Sequence, residues 1–263
     1  MGYSLQANQK KLQVGKSHPD RNAQFEYINN KASEFIAKNQ PVISVDTKKK
    51  ELVGNFANKG REYRPKKNPR LTFDHDFPVG EMLKVTPHGV YVQNDNTAFV
   101  NLGLSHDTGE FAVESISRWW EIVGKSSFPH ATKLFINCDC GGSNNYRARL
   151  WKKQLQEFAS RTGLEVHVSH FPPGTSKWNK IEHRLFCFIS KNWQGRPLID
   201  VETVINLIAN TTTAKGLKVI CNRDDNFYPL SVKVSDKEFK AINRTEIGFH
   251  GEWNYIIAPI SKV

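Results

Sequence analysis

The sequence predicts an α/β protein in which a mixed sheet is covered by helices. Three observations point there: short β-branched runs alternate with longer stretches of helical periodicity, two of those runs end in an aspartate, and another two flank a turn as a hairpin would. With 38% hydrophobic residues, the 263-residue chain can bury one sizeable core.

A first helix is expected over 21–38, where Phe25, Ile28, Ala32, Phe35 and Ile36 recur at helical spacing behind the capping and breaking residues of Ser17 to Asp20. Pro41-Val42-Ile43-Ser44-Val45-Asp46 reads as a buried strand that delivers Asp46 at its tip. From Lys48 to Arg70 the chain is basic and interrupted by Gly54, Gly60, Pro65 and Pro69, which predicts a turn, one strand and a basic loop. Gly89 to Val92 and Ala98 to Leu102, on either side of Asn94-Asp95-Asn96, form the hairpin. The period then changes, because Phe111, Val113, Ile116, Trp119, Trp120 and Val123 fall mostly on one helical face. Leu134 to Asp139 is a second strand that ends in an acid. A helix over 146–161 turns Leu150, Trp151, Leu155 and Phe158 inward and closes at Gly163, before a strand from Leu164 to His170. Phe171-Pro172-Pro173-Gly174-Thr175-Ser176 cannot be helical. After it a helix is expected from about Trp178 to Asn192, with Glu182 in its second turn and Trp178, Ile181, Leu185 and Phe188 as its apolar stripe. A further helix spans 201–212, and Ser235-Asp236-Lys237-Glu238 matches a capping box that opens a short last helix.

Charge narrows the function. A net charge of +11 and a pI near 9.4 favour a polyanionic partner, whose counterions are released when Lys and Arg replace them. The excess is local, since residues 1–70 hold fifteen Lys/Arg against six Asp/Glu, +9 of the total. Lys48, Lys49, Lys50, Arg61, Arg64, Lys66 and Lys67 are therefore candidate phosphate contacts. No apolar run approaches the roughly 18 residues of a membrane span, and Met1 to Lys16 lacks the apolar stretch of a secretory signal, so a cytoplasmic protein is expected. Cys138, Cys140, Cys187 and Cys221 form no CxxC pair, and reduced thiols are expected of them.

The acids define the chemistry. Asp46 and Asp139 both close strands, and open α/β sheets bind ligands at the carboxyl ends of their strands. Glu182 is the only carboxylate between Glu165 and Asp200. Three carboxylates from two strand ends and one helix suit two hard cations, Mg²⁺ or Mn²⁺, held about 3.5–4 Å apart for phosphodiester cleavage. Gly141-Gly142-Ser143-Asn144 lets backbone approach a ligand behind Asp139. Around Glu182, Lys177, Trp178, Asn179, Lys180, His183 and Arg184 offer cationic, stacking and hydrogen-bonding groups to a DNA end, and Trp178 suits a core position equally well. Asp74 and Asp76, like His106-Asp107, flank turns and read as surface loops, and Glu51 is a lesser rival. His170, His183 and Cys187 lack a fourth ligand of proper spacing for zinc.

Three segments, 41–51, 139–144 and 170–186, resemble the catalytic blocks of the ISAzo13-type insertion-sequence transposases, a DDE group, and the resemblance extends to Phe111-Ala112-Val113-Glu114-Ser115-Ile116 and Val232-Lys233-Val234-Ser235-Asp236. It implies an RNase H-like, retroviral-integrase-type core, metal-dependent cleavage and transfer of DNA strands, and DDE roles for Asp46, Asp139 and Glu182. Double-stranded DNA, as transposon end and as target, is the implied partner, with a homo-oligomer assembled on it in the bacterial nucleoid. The expected organisation is a basic helical lead-in over 1–40, the core over 41–214, and an extension with a short helix over 215–263. Members of the group usually carry a further N-terminal helical DNA-binding region, which this chain is expected to lack. Two departures stand out: cysteines at 138 and 140 flank Asp139, and Asn145 occupies a position where a small residue such as Gly is expected. The rival readings are a catalytically idle DNA-binding remnant and another RNase H-like nuclease, such as a resolvase.

Overall fold

The β-branched run after Pro41 forms a strand, β1 (Val42–Thr47), whose first four residues are buried. In the computed structural model, which describes residues 18–73 and 82–260, α1 (Arg21–Ala37) precedes it. The two-residue β2 (Glu51–Leu52) and the hairpin β3 (Lys84–Val92) and β4 (Thr97–Gly103) follow. Next come α2 (Gly109–Trp119), α3 (Lys125–Ser127), β5 (Lys133–Cys138), α4 (Arg149–Thr162) and β6 (Glu165–His170). The last third holds α5 (Cys187–Asn192), α6 (Val201–Ala209), β7 (Lys218–Asp224), α7 (Asp236–Lys240), β8 (Arg244–Glu246) and β9 (Asn254–Ile257).

The described strands form one sheet in the order β7-β4-β3-β1-β5-β6-β9-β8, with β2 beside β3. β3 runs antiparallel to β1 and β4, whereas β1, β5 and β6 are mutually parallel neighbours. An antiparallel hairpin followed by parallel strands, β4-β3-β1-β5-β6, is the RNase H-like order. β7 extends it parallel to β4, and β9 and β8 extend the other edge. Sequence reasoning missed these edges. β7 alternates like an edge strand over its first half, with Val219 and Cys221 buried and Lys218 and Ile220 exposed, until Asp224 is buried on the opposite face, while β8 and β9 are too short to show a period.

Apolar clusters cover both faces. Ile43, Val45, Ile116, Trp119, Trp151 and Phe158 pack where α2 and α4 lie. Val100, Leu102, Ile181, Leu185, Ile189, Val204 and Ile208 pack under α5 and α6. The inward stripe of α1 is Gln24, Ile28, Ala32 and Phe35, and Ile36, expected inside, is 40% exposed. Gln24 Nε2 donates to Asn254 Oδ1 (2.9 Å) and to the His170 carbonyl (2.9 Å), and Asn254 Nδ2 donates back to Gln24 Oε1 (2.8 Å), fastening α1 to β9 and β6.

Local signals in the sequence hold where they concern caps. Gly163 ends α4 at φ 75°, Asp200 caps α6 by accepting from the Thr203 amide, and Ser235 and Glu238 form the capping box of α7. The helix expected from about Trp178 to Asn192 begins at Lys180, behind a 3₁₀ turn (Ser176–Trp178), and continues to Asn192 through a π-helical turn (Glu182–Phe186) that runs into α5. Glu182 thus opens a π-turn, a feature frequent at functional sites. The helix expected from 146 begins at Arg149. Asp74 and Asp76 lie outside the described residues. Among the described residues no helix is long and apolar enough to cross a membrane.

Candidate active site

Pairing between β1 and β5 aligns Val42 with Phe135 and Ser44 with Asn137. Two residues further on, the same register brings Asp46 beside Asp139 at the carboxyl ends of adjacent parallel strands. Strand alternation turns Ser44 and Asp46 to the face opposite Val45, which is the face covered by the Glu182 turn. That turn sits close because Gly89, the partner of Asp46 across the β1–β3 ladder, has no side chain. A Cβ there would lie 2.7 Å from both Ile181 Cδ1 and Phe186 Cε1. Ser44 and Asn179 fix the approach. The Ser44 hydroxyl donates to Asn179 Oδ1 and accepts from the Ile181 amide (3.1 Å), and Asn179 Nδ2 donates to the Val45 carbonyl (3.1 Å).

The three acids meet. Asp46 stands near enough to Asp139 and Glu182 for the charges of both to act on it. Burial, followed by the charges of Asp139, Glu182 and Asp107, pushes Asp46 up to about 8 against the Thr47 amide, which donates to Asp46 Oδ1 (2.8 Å) and favours the carboxylate. Burial raises Asp139 as well, and burial together with Asp139 raises Glu182. Asp139 Oδ1 is buried with no hydrogen-bond partner. A desolvated, unpartnered carboxylate oxygen within an all-carboxylate cluster fits a hard divalent cation. Behind it, His170 is held neutral by burial, its pKa lowered to about 4, and its Nδ1 donates to the Asp139 carbonyl (2.9 Å) while Nε2 accepts from the Tyr255 hydroxyl (3.1 Å).

Asp107 corrects the sequence reading. Expected in a surface loop, it accepts from the Thr47 hydroxyl (3.1 Å), and Ser143 Oγ lies 3.4 Å from the same oxygen of Thr47. It precedes Thr108, whose side chain caps α2 by accepting from the Phe111 amide. A capping residue ahead of a helical period was the signal that Asp107 sits at a helix start.

The basic residues divide. Lys48 is buried, paired with Glu51 (2.5 Å), and places its ammonium 4.4 Å from the centre of the Trp193 ring, so its charge is already engaged inside the fold. Asn179 is wholly buried and serves the tether described above. Lys49, Lys50, Arg61, Arg64, Lys66, Lys67, Lys177, Lys180, His183 and Arg184 are exposed, and Trp178 is 50% exposed, edge-on to Phe25 of α1. Lys48, Lys49, Lys50, Lys59 and Lys84, with Glu51, line a groove of about 830 Å³.

An RNase H-like sheet with Asp46, Asp139 and Glu182 gathered at the ends of its parallel strands is the layout of the DDE class. More particularly, the model of the family described as the Rhodopirellula transposase DDE domain matches residues 1–259, and the chain belongs to that family. No curated protein matches it in sequence. Solved structures similar to it include the Mos1 transposase paired-end complex with left transposon end, at 12% identity and TM-score 0.48, covering 76% of this chain and 56% of that one. The Mos1 mariner paired-end complex with Mn is 11% identical, with TM-score 0.44 over 76% of this chain and 56% of that one. The Mos1 strand transfer complex is 12% identical, with TM-score 0.41 over 74% and 56%. The chain spans about 56% of the length of these Mos1 chains.

Proposed function

We propose that this chain is the catalytic region of a DNA transposase, which cleaves a strand at an element's end and joins the resulting 3′-OH to target DNA. The observation that carries this reading is the meeting of Asp46, Asp139 and Glu182, from three separate elements, around a buried and unpartnered Asp139 oxygen. Residues 41–214 would hold this core, with 1–40 as a lead-in and 215–263 as an extension. Asp46, Asp139 and Glu182 would hold two Mg²⁺ or Mn²⁺ ions. Such ions, when bound, activate the attacking oxygen and stabilise the leaving one. The chain's own residues do the rest: the Thr47 amide orients Asp46, and Ser44 with Asn179 holds the turn that presents Glu182. In cleavage, water oxygen bonds to phosphorus and the 3′ oxygen leaves; in joining, that 3′-OH bonds to a target phosphorus and a target 3′ oxygen leaves. The exposed cations Lys49, Lys50, Arg61, Arg64, Lys66, Lys67, Lys177 and Arg184 would bind phosphates of double-stranded DNA, and pairing two ends would require at least a dimer.

The test is Glu182→Gln, assayed on a pre-nicked DNA end with Mg²⁺ or Mn²⁺. Gln keeps the size of Glu but loses the charge that holds a hard cation, so cleavage should disappear while DNA binding stays within about twofold. Cleavage near the wild-type rate would overturn the proposal.

A further inference from the structure

Where α1 begins, His18, Asp20 and His250 bring potential ligand atoms within 4.8 Å of one another, although 230 positions separate Asp20 from His250 in sequence. His250 is held firmly. Its ring stacks on Trp253 at 4.5 Å with 22° between the planes, and its backbone adopts φ 48°, a left-handed conformation uncommon outside glycine. Its Nδ1 lies 2.9 Å from Glu252 Oε1 and its Nε2 3.0 Å from Asp20 Oδ2. The His18 ring stands edge-on to His250 (5.2 Å between ring centres) and to Trp253 (4.9 Å).

We propose that His18, Asp20 and His250 form a second metal site, for a divalent ion of the zinc class, separate from the three acids of the sheet. Donor chemistry distinguishes the two. Two imidazoles and one carboxylate suit Zn²⁺ or Co²⁺, whereas an all-carboxylate cluster suits Mg²⁺ or Mn²⁺. Glu252 occupies the place of the outer carboxylate that accompanies many metal-bound histidines: when Nδ1 donates to Glu252, the lone pair of Nε2 faces Asp20. The 3.0 Å between Nε2 and Oδ2 is a hydrogen-bond distance, and widening it by about 0.3–0.6 Å seats one four-coordinate ion at about 2.0–2.2 Å from each. Without an ion, a proton on Nε2 bridges the same gap, so proton and metal compete for one place. His18 needs only a local adjustment, because its ring is exposed and its Nδ1 merely accepts from the Asp20 amide (3.2 Å). Water takes the remaining position. An ion here ties the start of α1 to the turn before β9, next to the Gln24–Asn254 pair.

The test titrates the chelator-treated full chain with Co²⁺ in excess Mg²⁺, following visible absorption, and then displaces Co²⁺ with Zn²⁺. One equivalent should give the intense bands of four-coordinate cobalt and be released by one equivalent of Zn²⁺. His18→Ala should weaken binding at least about 10-fold and Glu252→Gln about 10–100-fold, while the double variant Asp46→Asn/Asp139→Asn keeps the signal. The exposed His18 ring also leans on the buried Trp253, so His18→Phe, which keeps that packing, is run beside His18→Ala, and Zn²⁺ should raise Tm for the wild type but for neither variant. Identical titrations for wild type and His18→Ala, or loss of the cobalt bands in Asp46→Asn/Asp139→Asn, would overturn the proposal.

Discussion

Thr47 serves two acids at once, its amide donating to Asp46 and its hydroxyl to Asp107. Thr47→Val keeps the first bond and removes the second, so any loss reports on the Asp107 arm alone. Outer partners of metal ligands typically contribute about 10–100-fold to activity, and Thr47→Val and Asp107→Asn should each lower metal-dependent cleavage by that factor with DNA binding unchanged. A variant that binds DNA less tightly but cleaves at the normal rate would place Asp107 on the DNA instead. Asp46 is the most crowded of the acids, since burial and three neighbouring carboxylates all disfavour its charge. Asp46→Asn should therefore stabilise the metal-free protein at neutral pH, by about 2–4 °C in Tm for each kcal/mol relieved. Added Mn²⁺ should raise Tm for the wild type only. Scanning calorimetry with and without chelator reads both effects. Lys48 and Lys49 are neighbours with opposite expectations. Lys49→Ala should flatten the dependence of log K on log[salt] by up to about 0.9, whereas Lys48→Ala, which strands Glu51 and uncovers Trp193, should lower stability and leave that slope alone. Equal slopes for wild type and Lys49→Ala would remove Lys49 from the DNA surface.

Close approach of the Glu182 turn to β3 depends on Gly89. Gly89→Ala forces Ile181 and Phe186 outward, at a cost typical of overpacking, about 1–3 kcal/mol, and carries Glu182 with them. Cleavage should fall by more than the stability loss explains, which comparison of rates and urea midpoints at one temperature would establish; normal cleavage by a destabilised protein would separate Glu182 from that packing. The central strands were legible because burial on both faces leaves mostly apolar runs, Val42 to Val45 broken only by Ser44 and Leu134 to Cys138 broken only by Asn137, and each run leads into its acid. Caps were legible because they depend on a few adjacent residues, as at Ser235 and Glu238. The edge strands were not, since β9 is placed by pairing with β6 and not by any pattern of its own. Asp107 and Asn179 were misassigned for a related reason: polar residues in connecting segments look alike in sequence whether they face solvent or, like Asn179, are wholly buried. The π-turn at Glu182 also has no periodic signature, because it interrupts the period by which helices are recognised.

Across the described residues three histidines are kept neutral by burial: His88, lowered to about 3, and His167 and His170, each lowered to about 4. Both ring nitrogens of His88 lack partners, and the ring packs edge-on against Phe111. Unfolding returns each to an ordinary value of about 6.5, so between roughly pH 6.5 and 4 the unfolded chain binds more protons than the folded one. Their contribution is complete above about pH 6.5 and is lost as pH falls through that window, at up to about 1.4 kcal/mol per pH unit for each group. Urea unfolding at pH 7, 6 and 5 should show the decline, and His88→Leu should make it shallower; equal slopes for the two proteins would mean that His88 does not report on acid unfolding. The pairing of Gln24 with Asn254 also sets an order of assembly during translation. Ala32 and Phe35 can settle on Val42 and Phe135 once β5 has emerged, but the Gln24 end of α1 waits for Asn254, so a growing chain carries Asp46 and Asp139 while the start of its first described helix is still loose. Ribosome-bound chains halted at Lys240 should be cut by protease within the first turns of α1, where released full-length chains resist, and the surroundings of the three acids should ripen only as synthesis closes.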